Sequence, residues 1–148
     1  LNNVSLKAMN KTAENIMNNK DLKTVFRENK VSFAYLFGSQ VNGSFGKDSD
    51  VDIAVMLPFE IKKEERFDLR LKLMGKISKI LKKKIDVVVL NDIHSLYFKY
   101  IIIKEGKIIY KETDLSPFDF ESKTLGIYFD FRPFLENYNK AYVKRSLQ

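Results

Sequence analysis

The sequence predicts a single α/β (α+β) domain, a small mixed β-sheet flanked by helices. Three observations predict it. Two short apolar runs, residues 51–57 and 85–90, each carry one aspartate and otherwise read as buried strands. Between them lies a lysine-rich stretch, residues 62–84, in which Phe67, Leu71, Met74 and Leu81 recur at helical spacing together with Leu73, Ile77 and Ile80. No internal repeat, low-complexity tract or linker divides the 148 residues, and a 45% hydrophobic, 13% aromatic composition supplies one ordinary core.

The elements follow in order. Residues 1–10 carry no periodic signal. Residues 12–29 predict one or two short helices, with Ile16, Met17, Leu22, Val25 and Phe26 as apolar positions. Residues 31–37 predict a strand, and residues 38–49 a loop in which a short helix opens at Ser39. The Asp52 strand, the lysine-rich helix and the Asp86 strand come next. Glu64 and Glu65 near the helix start and Lys82, Lys83 and Lys84 at its end suit the helix dipole. Asp92 is the expected cap of a helix running through Ile103, and Glu105-Gly106 turns the chain into a strand over 107–111. Ser116-Pro117 starts a helical C-terminal segment, about 116–146, with breaks expected near Gly126 and Arg132-Pro133. The domain core is expected over about 12–113.

The chemistry concentrates in Gly38-Ser39, a ten-residue gap, and Asp50-Val51-Asp52. Side chains alternate along a strand, so Asp50 and Asp52 face one way, roughly 6–7 Å apart. Two anions on one side repel, and a carboxylate on a buried strand is costly unless paired. A hard cation removes both costs, and Mg²⁺ binds through one or two carboxylates together with phosphates. Gly38 lets the backbone approach a phosphate, amides around Ser39 can donate to it, and the Ser39 hydroxyl adds a further donor. Asp48 and Ser49 are explained by a turn alone. If the strand after Lys82-Lys83-Lys84 lies beside the Asp52 strand, Asp86 joins the pair as a third carboxylate; otherwise Asp86 is an acid paired with one of those lysines. The sequence leaves both open. No G-x-x-x-x-G-K-[ST] occurs, since Gly46-Lys47 is followed by Asp48, which argues against a P-loop ATPase.

This constellation, within LFGSQVNGSFGKDSDVDIAV over residues 36–55 and with the later strand Asp86, resembles the nucleotidyltransferase superfamily that includes DNA polymerase beta. Within it, the short length and the spacing resemble the minimal nucleotidyltransferases, the MNT family, commonly paired with HEPN-domain toxins. The resemblance covers residues 31–90 and extends more faintly to the C-terminal helix. One departure is Asn42, where many relatives carry a basic residue before the glycine; Lys47 offers that charge instead. The resemblance implies a polymerase-beta-like fold with two Mg²⁺ ions on Asp50 and Asp52, Asp86 completing one site and serving as the candidate general base. It places ATP phosphates at Gly38 and Ser39. The implied activity is AMP transfer from ATP to a hydroxyl, a tyrosine of a HEPN toxin, making the protein a type VII-like antitoxin. Two alternatives come with it: a nucleotidyltransferase acting on a small antibiotic-type alcohol, and an antitoxin that acts by binding alone.

Composition narrows the partners. The net charge is +7, but many positive charges sit on the 62–84 helix, where a solvated face accounts for them. No aromatic RNA-binding signature or zinc-finger spacing is present, so nucleic acid is not expected as the main substrate. No apolar run reaches the roughly 18 residues of a membrane span. The absence of cysteine fits a reducing compartment, and the expected location is the cytoplasm. The aromatic run 128–135, followed by Tyr138 and Tyr142, either docks a partner helix or packs a terminal helix. His94, the one histidine, has no partner set and is assigned no role.

Overall fold

A computed structural model of the chain describes residues 13–42, 50–112 and 116–146. Lys47, Asp48, Ser49 and residues 1–10 lie outside the described residues. Residues 13–17 are helical. The described elements are then α1 (Lys20–Glu28), β1 (Phe33–Phe37), α2 (Ser39–Asn42), β2 (Val51–Met56), α3 (Lys63–Leu81), β3 (Ile85–Val89), a 3-10 turn (Leu90–Asp92), α4 (Leu96–Glu105), β4 (Lys107–Lys111) and α5 (Phe118–Ser146).

The four strands form one mixed sheet in the order β3-β2-β1-β4. β1 runs antiparallel to β2 and β4, and β2 runs parallel to β3. A parallel pair needs a crossover, and α3 supplies it. Alternation along the strands makes two cores. Ala34, Leu36, Val51, Ile53 and Val55 face Leu22 and Phe26 of α1 and Leu73 and Ile77 of α3. Phe33, Tyr35, Ala54 and Met56 face Ile102 of α4, with Phe120 of α5 packed against them. The Tyr35 hydroxyl, buried in the second layer, donates to Glu121 Oε1 at 2.6 Å and ties α5 to the sheet. Burial and then the Glu121 carboxylate push the phenol well above its usual range.

The α3 face differs from the expected one. Phe67 and Leu71 are exposed, and the buried row is Leu73 and Ile77, flanked by Leu69, Met74 and Leu81. Arg66 and Arg70 share that row at i and i+4 before Leu73 and Ile77, and their bonds to the β3 side fix the helix rotation. Asp92 does not cap α4. Its carboxylate accepts from Arg66 Nε at 3.0 Å and from Nη2, so it is already occupied. Ser95 is the cap, its Oγ accepting from the Phe98 amide at 3.1 Å. Asn91 completes this corner by accepting from the Leu57 amide and donating to the Leu57 carbonyl, at 2.9 and 2.8 Å.

The expected breaks in the C-terminal segment are absent. α5 runs through Gly126 and Pro133 without interruption. Residues 129–137 are all exposed, so the carbonyl that Pro133 leaves unpaired takes water at little cost. Tyr128 stacks on Tyr100 of α4 with ring centroids 3.8 Å apart, while Phe129, Phe131 and Phe134 stay exposed. The run therefore divides: Tyr128 packs face to face, Phe129 meets Tyr100 only edge-on at 6.2 Å, and Phe131 and Phe134 lie beside each other on the exposed side. Tyr138 and Tyr142 lie outside the residues whose side chains are described.

Candidate active site

β1 ends at Phe37, which stands opposite Asp52 at the beginning of β2. The chain then turns at Gly38, with φ +77°, into the short helix opening at Ser39. A Cβ at Gly38 would collide with the Asp52 carboxylate, so both the left-handed backbone and the close approach require glycine. The amide of Val41 donates to the Gly38 carbonyl at 3.1 Å, which closes the turn.

The expected strand adjacency is present. β2 and β3 pair in parallel with Asp52 directly opposite Asp86. Neighbouring strands lie about 4.8 Å apart, so the two carboxylates emerge side by side on the same face. Val51 and Ile53 point into the opposite core and are fully buried, leaving Asp52 on the rim between its neighbours. Asp50 precedes β2 at the same end of the sheet. Partial burial, then the charge of Asp86, then that of Asp50 hold the Asp52 carboxyl above the usual carboxylate range. Three carboxylates thus crowd one end of the sheet, and the middle one bears the electrostatic cost.

Two cations flank them. Lys84 Nζ lies 3.8 Å from Asp50 Oδ2, with the lysine side chain 82% exposed, a pairing of little energetic weight. Arg70 reaches from α3, its Nε donating to the Val87 carbonyl and its Nη2 lying 3.5 Å from Asp86 Oδ1. Of the two readings of Asp86, the one that sets it beside the Asp52 strand holds. It stands beside Asp52, and its partner is Arg70 rather than a lysine before the strand. A signal for this residue existed: Arg66 and Arg70 are the two arginines in a helix otherwise supplied with lysine, and arginine is selected where one group must make several directed bonds.

Among the described residues no group of three acidic, histidine or cysteine side chains forms a ready-made metal cage. The donor set still suits Mg²⁺. The oxygens are hard, the carboxylates emerge at one end of the sheet, and Mg²⁺ typically uses one or two carboxylates plus phosphates and water rather than an all-protein cage. A cavity of about 430 Å³ lies elsewhere, between Lys23 and Arg27 of α1 and Ile109, Tyr110 and Lys111 of β4, and includes none of the three aspartates. No helix among the described residues is long and apolar enough to cross a membrane.

Comparison with known proteins agrees with this geometry. Residues 20–115 match the family described as Polymerase beta, Nucleotidyltransferase. The protein adenylyltransferase MntA of Aphanizomenon flos-aquae (strain 2012/KM1/D3) is 32% identical over 88 residues, covering 52% of this chain and 55% of that protein. The chain thus spans about half the length of that relative. Among solved structures, a toxin–antitoxin complex with AMP-PNP is similar at a TM-score of 0.66 and 24% identity, covering 88% of this chain and 99% of that one. A complex of a tri-AMPylated Shewanella oneidensis HEPN toxin with its MNT antitoxin is similar at 0.58 and 22%, covering 92% and 99%. At these identities the structures establish the fold. With the Gly38 turn, the Asp52–Asp86 pairing and the family match over most of the sheet, the chain belongs to the polymerase beta nucleotidyltransferase family.

Proposed function

We propose that this protein transfers AMP from ATP to a hydroxyl, a tyrosine, of a HEPN-domain toxin and so acts as its antitoxin. The observation that carries the reading is the carboxylate rim, in which Asp52 stands directly opposite Asp86 across β2 and β3 and Asp50 precedes β2 at the same end of the sheet. The MntA adenylyltransferase and the MNT–HEPN complexes support the acceptor class. So does the exposed aromatic run on α5, a surface of the kind that meets another protein.

In this reading Gly38 and Ser39 receive the triphosphate at the turn after β1, where the missing Cβ keeps the backbone close. Asp50, Asp52 and Asp86 would hold Mg²⁺, which when bound lowers the pKa of an acceptor hydroxyl and neutralises departing pyrophosphate. Asp86 takes the hydroxyl proton as general base. The acceptor oxygen forms its bond to the α-phosphorus as the bond to the pyrophosphate oxygen breaks, with Asp86 keeping the proton. AMP on a toxin side chain adds bulk and negative charge where the toxin must bind its own substrate. Cytoplasmic location follows from the partner and the nucleotide.

The test is to incubate the protein with Mg²⁺, α-labelled ATP and a HEPN-domain toxin, following label and intact mass. The expected result is a gain of AMP on that partner, lost with Asp52→Asn. A folded sample that binds ATP yet labels no partner would sink the reading and direct attention to small-molecule alcohols. Neutralisation of the toxin by an inactive Asp52→Asn protein would establish binding alone as sufficient.

A further inference from the structure

We infer that Arg70 is a positioning residue that holds the Asp86 carboxylate in one orientation beside Asp52 by bracing it against the backbone of β3. Asp86 needs a brace. It stands directly opposite Asp52 across a parallel pair, it is half exposed, and like charges at strand spacing favour rotation of one carboxylate towards water. Arg70 opposes that rotation through two contacts of different kinds. Nε donates to the Val87 carbonyl, which fixes the plane of the guanidinium, and Nη2 then meets Asp86 Oδ1 at 3.5 Å. A planar fork held at one prong presents the other in a defined place, which an ammonium cannot do. The arginine itself starts from a fixed base, because Leu73 and Ile77 on the same row of α3 are completely buried. Among the described residues the Asp86 carboxylate makes no other hydrogen bond, so Oδ2 stays free for chemistry while Oδ1 carries the brace.

The kinetic half of this inference rests on the proposed AMP transfer; the conformational half does not. The experiment is therefore done in two arms on the full chain, with Arg70→Met, Arg70→Lys and, as a structural reference, Arg66→Met. In the first arm, three-bond couplings about χ1 of Asp86 are measured by NMR on the metal-free protein. Wild type and Arg66→Met are expected to report a single rotamer, and both Arg70 variants averaged values. In the second arm, kcat for AMP transfer is expected to fall about 10–100-fold in Arg70→Met, the scale seen when a supporting partner of a catalytic ligand is removed. KM for ATP should stay within about threefold, and Arg70→Lys should recover only part of kcat. A single Asp86 rotamer retained in both Arg70 variants overturns the inference. So does an averaged rotamer with kcat unchanged. If wild type transfers no AMP while the couplings respond, the brace stands and the proposed reaction falls.

Discussion

Two arginine–aspartate pairs, one helical turn apart on α3, have been put to opposite uses. Arg66 gives Nε and Nη2 to the two oxygens of Asp92 and Nη1 to the Ile61 carbonyl, and its side chain is only 15% exposed. Both oxygens of that carboxylate are engaged. Arg70 donates to one backbone carbonyl and meets a single oxygen of Asp86 at 3.5 Å, with that aspartate 50% exposed. The first pair stitches the start of α3 to the turn after β3. The second leaves half of its acid open, at the end of the sheet where Asp50 and Asp52 also emerge. A carboxylate whose oxygens are all occupied stabilises a fold, and one that is half engaged can still accept a ligand or a proton.

The comparison is broken most directly by exchanging the fates of the two acids. Asp86→Asn is expected to lower the proposed AMP transfer by about 10²–10⁴, the effect of losing the proposed general base, with little change in melting temperature. Asp92→Asn is expected to do the reverse, costing about 1.5–3 kcal/mol of stability as a charged hydrogen-bonding partner is lost, while the folded protein keeps its activity. The hydrogen bonds from Arg66 hold the Asp92 carboxyl below its usual range, so its contribution is present above the unfolded value near pH 3.9. It disappears as the pH falls through the lower folded value. Acid titration of unfolding free energy in wild type and Asp92→Asn checks this, and the curves should converge only at the acid end. Equal destabilisation by both variants would remove the distinction between the pairs.

Gly38→Ala should affect both properties. A left-handed alanine costs about 1–2 kcal/mol, and its methyl group must also displace the Asp52 carboxylate. Denaturant unfolding and transfer rate together check it, and the rate should fall further than stability alone accounts for. Asp52→Asn sharpens the contrast from the other side. Its carboxyl is raised, so protonation favours the fold below the unfolded value and that benefit fades as the pH rises through the folded one. At neutral pH without metal the charged form is a liability. The asparagine variant is therefore expected to melt a few degrees higher than wild type while losing transfer. A lower melting point would show that Asp52 is held by favourable partners instead. The smallest effect is expected at Lys82, which ends α3 with φ 53°, where Lys82→Gly should add about 0.5–1 kcal/mol.

Much of this site is legible in the chain because it depends on local spacing. Asp50 and Asp52 share a face through strand alternation, Gly38 marks the turn, and the apolar run through residues 51–57 makes the strand evident. The helix ends were less legible. Asp92 and Ser95 are both good caps three residues apart, and only the guanidinium of Arg66, contributed from 26 residues earlier, decides between them. α3 carries two apolar rows, and sequence periodicity cannot say which one the sheet will cover. Gly126 and Pro133 weaken a helix locally, yet residues 129–137 are exposed, so no close packing turns the weakness into a break.

The sequence by itself determined the element types, the Asp50–Asp52 pair and the glycine turn before it, since each follows from backbone sterics and side-chain period within a few residues. The tertiary structure decided that β3 lies parallel to β2 with Asp86 opposite Asp52, and that Arg70 rather than a lysine meets Asp86. Those outcomes depend on strand order and on the rotation of α3 about its axis. Both are set by the burial of Leu73, Ile77 and the sheet interior acting together, a balance of contacts distant in the chain that no local pattern encodes.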